Sequence, residues 1–302
     1  MGNKNVFYID YLDSYLDVLN ASFPKWFRKL IYIILNHCGV IRKNENIFIL
    51  MSVEDGNINK RMICNLQKKL LKSNVQNIVF AESLYNRREF IEFFKNRFNI
   101  LEGKWLYKFL ILDIIKKIVY IQGRNISDYE ITILCNKPSE IVLDNIKFIA
   151  RNCKILNIVT ENIDEFSYLE DELYDKFGIL LIVSSNVKKA CLHSDIIINI
   201  DFLSTQLNMC RFKDDNILIQ CTKEKFDNRN GLVITNYKFD ILKRYLSFWT
   251  KMKHFELEIL YESLLYYNTS FSGVRKILKR DNVKIKYLEG LHGKLNFREI
   301  KK

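Results

Sequence analysis

The sequence predicts an α/β fold in which the second half of the chain forms a doubly wound parallel sheet. Residues 130 to 201 alternate between short apolar runs and amphipathic runs with helical spacing. The apolar runs are rich in Ile, Leu and Val and show little polar alternation, as expected for strands that helices cover on both faces. With 302 residues, of which 48% are hydrophobic, the chain can bury enough apolar surface for two domains.

The predicted sheet of the second half has four strands joined by helical crossovers, which place consecutive strands parallel. These strands are 131–134, 155–159, 179–183 and 196–200, and the apolar runs 217–219 and 232–234 extend the sheet to six. The predicted helices of this half are 141–150, 163–177 and a short one from Val187. Pro138 and Ser139 favour a helix start, because proline is tolerated in the first turn and serine can cap an unpaired backbone N–H.

The first half is predicted to be a second α/β domain. Its predicted strands are 47–51 and 78–80, and its predicted helices are 58–71, 86–98 and one or two more between Tyr11 and Leu35 that break near Pro24. The run 105–119 is apolar almost all round, which predicts a buried or interdomain helix. The polar turn at 122–125 is the predicted boundary between an N-terminal α/β domain over 1–123 and the parallel-sheet domain over 124–245. Residues 246–302 are predicted to form a basic helical C-terminal extension that packs back on the first domain.

Residues 130–235 resemble the Rossmann-type domain of NAD(P)-dependent dehydrogenases. The nearest likeness is to the two-domain shikimate dehydrogenase and glutamyl-tRNA reductase type. The run 190–199, ACLHSDIIIN, is similar to the passage from helix to fourth strand in such domains. The resemblance implies a dinucleotide-binding fold with NAD(P) as its cofactor, although this fold hosts many functions.

The glycine-rich turn of that family is missing. In G-x-G-x-x-G the glycines permit a tight bend and let backbone N–H groups approach a diphosphate at a helix N-terminus. The corresponding segment here, 135–140, reads CNKPSE. Its side chains leave less room for a diphosphate to approach the backbone N–H groups, and its proline has no N–H to donate. The motif is therefore degenerate, and no cofactor is predicted from the residues themselves.

Five residues form the candidate cofactor-binding set, because they follow strands whose carboxyl ends bind ligands in parallel sheets. They are Asn136, Lys137, Ser139, Glu161 and Asp201. Lys137 can attract an anion, and Glu161 follows the second strand, where the family often holds a ribose. Both also have a purely structural interpretation: Lys137 as a solvated loop charge and Glu161 as part of the next helix start.

No catalytic residue is predicted. The catalytic lysine of shikimate dehydrogenases follows an Asn-Val-Thr-x-Pro turn, and no such turn occurs in a chain whose only prolines are Pro24 and Pro138. A G-x-S-x-G elbow is also absent, and the four histidines lie in unrelated contexts. The sequence therefore favours a protein that is not an enzyme; if it is one, the expected class is an NAD(P)-dependent oxidoreductase.

The C-terminal region is strongly basic. Residues 243–302 carry a net charge of +8 out of the formal +12 of the chain. One short helix is predicted to place four basic side chains on one side: Arg275, Lys276, Lys279 and Arg280. These residues are the candidate nucleic-acid or anion-binding set, since a clustered basic face binds phosphate backbones through counterion release. The alternative is a solvated helix face in a lysine-rich protein.

Seven scattered cysteines without a C-x-x-C pair predict reduced, mainly buried thiols and no metal site. No apolar run approaches the roughly 20 residues that a bilayer requires, so no membrane partner is predicted. The N-terminus lacks a signal-peptide pattern, and a cytoplasmic location is expected.

Three functional hypotheses remain open. The favoured one is a non-catalytic binding or regulatory protein on a degenerate dehydrogenase-like scaffold, whose partner is an unknown protein or small-molecule ligand. The second is an NAD(P)-dependent oxidoreductase or nucleotide-binding enzyme with an atypical phosphate loop. The third is a nucleic-acid or polyanion binder that acts through the basic C-terminal region.

Overall fold

The computed structural model describes most of the chain. The described residues are 6–11, 24, 26, 39–43, 46–51, 60–72, 76–85, 87–222, 224, 226–227, 231–241, 254–266 and 270–301. Contacts divide the chain into two compact units, which are Met1–Gly103 with Arg244–Tyr267, and Lys104–Lys243 with Asn268–Lys302. The first boundary thus falls at Gly103, whereas the sequence predicted it at residue 123.

The described strands and helices are numbered in chain order. The strands are β1 (Val6–Tyr11), β2 (Gly39–Lys43), β3 (Asn46–Met51), β4 (Asn77–Phe80), β5 (Asn99–Ile100), β6 (Glu130–Leu134), β7 (Ile155–Val159), β8 (Leu180–Ser184), β9 (Ile196–Asn199), β10 (Ile217–Gln220), β11 (Leu232–Ile234), β12 (Asn236–Asp240), β13 (Lys284–Gly290) and β14 (Gly293–Lys294). The helices are α1 (Lys60–Lys72), α2 (Glu82–Tyr85), α3 (Arg88–Lys95), α4 (Lys104–Phe109), α5 (Ile111–Gln122), α6 (Glu140–Ala150), α7 (Tyr168–Phe177), α8 (Val187–Ala190), α9 (Ser204–Leu207), α10 (Leu257–Leu265), α11 (Phe271–Arg280) and α12 (Phe297–Lys301).

The first unit contains a five-stranded sheet in the order β2-β3-β1-β4-β5. β2 runs antiparallel to β3, and the other neighbours are parallel. The prediction of a helix beginning at Tyr11 is wrong, because this residue ends the central strand β1. Five consecutive residues of β1, 6–10, are buried, so the strand lacks the polar alternation that marks a strand in a sequence. The rest of the predicted helical region, apart from Pro24 and Trp26, lies outside the described residues.

The second unit contains a six-stranded, all-parallel sheet in the order β11-β10-β9-β6-β7-β8. Counted from β6 as strand one, this is the order 3-2-1-4-5-6 of the doubly wound Rossmann fold. The six predicted strands are confirmed to within one residue at each end. The Ile-rich composition of β9 and β10 has the expected cause, since every residue of these two strands is buried. The edge strand β8 departs from this expectation, because it exposes Leu180 and Ile182.

The remaining helical predictions, which fall on described residues, are confirmed with two changes. The apolar run 105–119 forms two helices, α4 and α5, which are separated at Leu110 (φ −99°, ψ 2°). The predicted helix 163–177 begins as a 3-10 turn at Ile163–Glu165 and continues as α7. In α10, Glu262 is buried, and its carboxylate accepts a 3.0 Å hydrogen bond from the Gly103 N–H.

The C-terminal extension is divided between the two units. Helix α10 belongs to the first unit, whereas residues 268–302 group with the second. The predicted basic helix is α11, and β13 is the middle strand of a small antiparallel sheet in the order β12-β13-β14.

Candidate functional site

The strand order of the second unit reverses between β6 and β9. In doubly wound sheets a crevice opens at the carboxyl ends of the two strands that flank the reversal. The last residues of these strands, Leu134 and Asn199, are register partners. The loop after β6 and the loop after β9 therefore meet, and this brings together Asn136, Lys137 and Asp201 of the predicted set.

The carboxylate of Asp201 binds the backbone of the loop after β6. Its Oδ1 accepts from the Asn136 N–H at 2.8 Å, and its Oδ2 accepts from the Lys137 N–H at 2.8 Å. Consecutive backbone N–H groups of this kind form an anion-binding concavity, and bonds from N–H to carboxylate are among the stronger hydrogen bonds in proteins. The anion held by this loop is a side chain of the protein itself.

The start of α6 has few free N–H donors for an external anion. Ser139 is the N-cap of this helix, as predicted, and its Oγ accepts from the Val142 N–H at 3.4 Å. Pro138 has no N–H to donate. The first turn also carries Glu140, whose negative charge interacts favourably with the helix N-terminus and repels a second anion there. The side chain of Lys137 is exposed and makes no ion pair within the described part of the chain.

Glu161 follows β7 and is held in place by two contacts. Its N–H donates to Asn136 Oδ1 at 2.8 Å, and its Oε1 accepts from Gln206 Nε2 of α9 at 2.7 Å. Asn162 Nδ2 also donates to the Asn136 backbone carbonyl at 2.8 Å. Asn136 thus joins the loop after β6 to the loop after β7, and the carboxylate expected at a ribose is already hydrogen-bonded.

A buried amide positions the loop that carries Asp201. Asn199, at the end of β9, accepts from the Phe202 N–H at 2.8 Å through Oδ1. Its Nδ2 donates to the Phe202 carbonyl at 3.0 Å and to Gln220 Oε1 at 3.2 Å. Asn162, Asn199 and Gln206 were not among the residues predicted from the sequence. Asn199 had a detectable signal, because it is a polar residue that ends an Ile-rich strand.

The thiol beside this loop is protonated rather than nucleophilic. Cys135 is buried, with Sγ 3.9 Å from Asp201 Oδ2. Burial is the largest cause that raises its pKa, and the negative charge of Asp201 raises it further. A thiol in this environment is a poor nucleophile, because the thiolate is the reactive form.

The predicted basic face of α11 is divided by its contacts. Arg275 forms a two-bond ion pair with Asp113 of α5, donates to the Phe109 carbonyl at 3.0 Å, and lies 4.7 Å from the ring centroid of Phe148. Arg280 Nε is 2.9 Å from Asp281 Oδ1. Lys276 and Lys279 are exposed on the same helix. The structure therefore leaves the two lysines to solvent and gives both arginines carboxylate partners.

Within the described residues, no group of three or more His, Cys, Asp and Glu side chains could hold a metal ion. No helix of the described part of the chain has the length and apolarity needed to span a bilayer.

No protein-family model matches the chain, and no curated protein sequence matches it. The chain matches several solved structures at low sequence identity. One is a Δ1-pyrroline-2-carboxylate reductase from Thermococcus litoralis in complex with NADH and L-proline, with 12% identity, a TM-score of 0.26, and 36% of this chain aligned to 34% of that chain. Another is an L-tryptophan dehydrogenase from Nostoc punctiforme, with 8% identity, a TM-score of 0.35, and 94% of this chain aligned to 84% of that chain.

An N-acetyl-L-ornithine transcarbamylase is similar to a comparable degree, with 8% identity, a TM-score of 0.31, and 88% of this chain aligned to 91% of that chain. All three TM-scores are low, and the proteins belong to different reaction classes. The Rossmann-like assignment of the second unit therefore rests on its own strand order and parallel register.

Proposed function

We propose that this protein is a non-catalytic binding or regulatory protein built on a Rossmann-like sheet. Asp201 takes the place that the diphosphate of a dinucleotide holds in enzymes with a glycine-rich turn. The single observation that carries the proposal is the pair of 2.8 Å bonds from the Asn136 and Lys137 N–H groups to the Asp201 carboxylate. These two donors point at an anion, as in a phosphate-binding loop, but the anion is internal.

Competition with a covalently attached carboxylate disfavours an external diphosphate. A group on the same chain binds with a high effective concentration, so a free ligand must displace it and also compensate for the loss of its hydrogen bonds. A diphosphate would in addition bring its negative charges close to Asp201 and Glu140, and like charges at short range cost free energy. The residues present therefore do not fit a dinucleotide diphosphate.

The remaining parts of the crevice support the same proposal. The Glu161 carboxylate binds Gln206 instead of standing free for a ribose. The thiol of Cys135 has a raised pKa and is unsuited to proton transfer near neutral pH. In this crevice the groups that would bind a cofactor are hydrogen-bonded to one another. This arrangement favours a binding or regulatory role over catalysis.

The test is a fluorescence titration of the full-length protein with NADH and NADPH, supported by thermal-shift measurements. We expect no saturable change in fluorescence and no rise in Tm up to about 1 mM cofactor. Saturable binding with a micromolar Kd that Lys137→Gln weakens would overturn the proposal in favour of an NAD(P)-dependent enzyme. Lys154→Gln is the matched control, because Lys154 is an exposed lysine that precedes β7 at the other end of the sheet.

A further inference from the structure

A cavity of about 280 Å³ opens in the second unit at the amino ends of β6, β9 and β10, away from the crevice that holds Asp201. Nine residues line it: Gln122, Arg124, Tyr129, Asp195, Lys213, Asp214, Asp215, Ile217 and Lys301. Since a water molecule takes up roughly 30 Å³ of liquid, this space can hold a small organic molecule. None of the functional hypotheses drawn from the sequence uses these residues.

One wall of the cavity is positive and comes from the end of α5, the residue before β6, and α12. Gln122 is held from both sides, because Tyr129 Oη donates to its Oε1 while its Nε2 donates to the Ile300 carbonyl at 2.8 Å. The Arg124 guanidinium lies 5.8 Å from the ring centroid of Tyr129. Burial raises the pKa of Tyr129, so its hydroxyl stays neutral. Arg124 and Lys301 make no ion pair within the described part of the chain.

A second group of lining residues, here called the negative wall, comes from the loops before β9 and β10. Asp195 is already neutralised, because its Oδ1 pairs with Lys213 Nζ at 2.5 Å and its Oδ2 accepts from the Glu130 N–H at 3.0 Å. Asp214 and Asp215 are exposed, and among the described residues no cation lies within 4.0 Å of either carboxylate. Two positive groups and two negative groups therefore line the same cavity without pairing with each other.

We infer that this cavity binds a small zwitterion, either a free amino acid or a dipeptide. Its carboxylate lies toward Arg124 and Lys301, and its ammonium lies toward Asp214 and Asp215. A guanidinium binds a carboxylate through two parallel hydrogen bonds, and an ammonium donates up to three bonds to carboxylate oxygens. A ligand with only one charge would be attracted by one wall and repelled by the other, so a dipolar ligand matches this distribution best.

The apolar part of such a ligand has a surface to contact. Tyr129 and Ile217, here called the floor of the cavity, also line it, and both are buried. The hydrogen bonds of Gln122 and Asp195 fix this floor before any ligand arrives, which lowers the entropy cost of binding. Because the cavity and the crevice of Asp201 lie at different ends of the sheet, ligand binding at one can be measured independently of the other.

The experiment is isothermal titration calorimetry, with thermal-shift measurements, on the full-length protein. The probes are the standard L-amino acids and glycylglycine, with acetate and methylamine as single-charge controls, each up to about 10 mM. We expect at least one zwitterion to bind saturably while acetate and methylamine do not. Whether the amino acids or glycylglycine bind more tightly distinguishes the two ligand sources.

Variants then test the assignment of the two walls. Arg124→Gln and the double variant Asp214→Asn/Asp215→Asn should each weaken the affinity about tenfold or more. Asparagine is chosen because Asp215 has a φ of 61°, a left-handed conformation that asparagine tolerates. Lys188→Gln, at an exposed lysine of α8, is the matched control and should leave the affinity unchanged.

Three outcomes would overturn the inference: no zwitterion binds, acetate binds as tightly as the amino acids, or either wall can be neutralised without loss of affinity. Because the substituted side chains are exposed, the Tm of each ligand-free variant should equal that of the wild type, so a loss of binding would not reflect unfolding.

Discussion

The two ends of the parallel sheet in the second unit differ in how their polar and charged groups are paired. At the carboxyl end, Asp201 binds the Asn136 and Lys137 N–H groups, and Gln206 binds Glu161, so the polar groups of the crevice satisfy one another. At the amino end, charged side chains line a cavity of about 280 Å³. Asp195 pairs there with Lys213, whereas Arg124, Lys301, Asp214 and Asp215 make no ion pair within the described part of the chain. At the carboxyl ends of the strands, where this fold usually binds ligands, one carboxylate of the protein therefore occupies the anion-binding loop. At the amino ends, charged side chains remain exposed to solvent in the cavity.

The largest expected effect follows from removing the internal anion. Asp201→Ala leaves two backbone N–H groups without their acceptor, and we expect a loss of about 2 to 4 kcal/mol in the free energy of unfolding, measured by chemical denaturation. Asp201→Asn should lose less, because it keeps one acceptor oxygen. Acetate or formate should raise the Tm of Asp201→Ala but not that of the wild type, since either anion can occupy the vacated position. An unchanged stability in Asp201→Ala would show that the loop does not depend on this anion.

A smaller loss is expected when the connection between the two loops is removed. Asn136→Ala deletes the acceptor of the Glu161 N–H, and we expect a cost of about 1 to 2 kcal/mol together with faster hydrogen exchange at that N–H. Asn208→Ala is a matched control at an exposed asparagine whose side chain makes no hydrogen bond within the described part, and it should cost less than about 0.5 kcal/mol. Equal effects in the two variants would contradict a specific role for Asn136.

Helix α11 also carries both kinds of charge, because Arg275 is paired with Asp113 whereas Lys276 and Lys279 are exposed to solvent. Arg275→Met breaks the partly buried pair with Asp113, and we expect a loss of about 1 to 2 kcal/mol in stability with little change in retention on a heparin column. The double variant Lys276→Gln/Lys279→Gln should leave stability within about 0.5 kcal/mol and reduce heparin retention. If Arg275→Met instead reduced retention as strongly as the double variant, the arginine would belong to a polyanion-binding face after all.

The smallest effect concerns the reactivity of the buried thiols. Alkylation by iodoacetamide at pH 8, followed by mass spectrometry, should be slow at Cys135 and fast at the exposed Cys64 in the wild type. Asp201→Ala should accelerate alkylation of Cys135, because it removes the negative charge that helps to raise the pKa of this thiol and opens the loop. Cys153 is the internal control, since its pKa is raised by burial to about 12 and Asp201 is not among the causes. Equal acceleration at Cys153 would indicate general unfolding.

Much of the second unit could be predicted from sequence because its signals are local. The parallel strands are rich in Ile, Leu and Val, β9 and β10 are buried over their whole length, and Pro138 and Ser139 mark the start of α6. Strand β1 was missed for a related reason. It is buried over residues 6–10 but includes Asp10 and Tyr8 within a short run, so neither alternation nor uniform apolarity marks it.

The candidate site was predictable only in part. The sequence placed Asn136, Lys137 and Asp201 at neighbouring strand ends, because parallel sheets bring the ends of β6 and β9 together. It gave no indication that Asp201 binds the loop, since that bond joins residues separated by more than 60 positions. For the same reason the pairing of Arg275 with Asp113, across 162 positions, could not be read from the helical pattern of α11.

The sequence by itself determined the fold class, the strands of the second sheet, the start of α6 and the absence of a glycine-rich turn. These properties depend on which residues are neighbours in the chain and on the conformations that proline, serine and glycine allow. Only the tertiary structure decided which polar groups pair and which remain exposed, because pairing depends on distances that arise after distant segments pack together. The carboxylate in the crevice and the two charged walls of the cavity are both results of that packing.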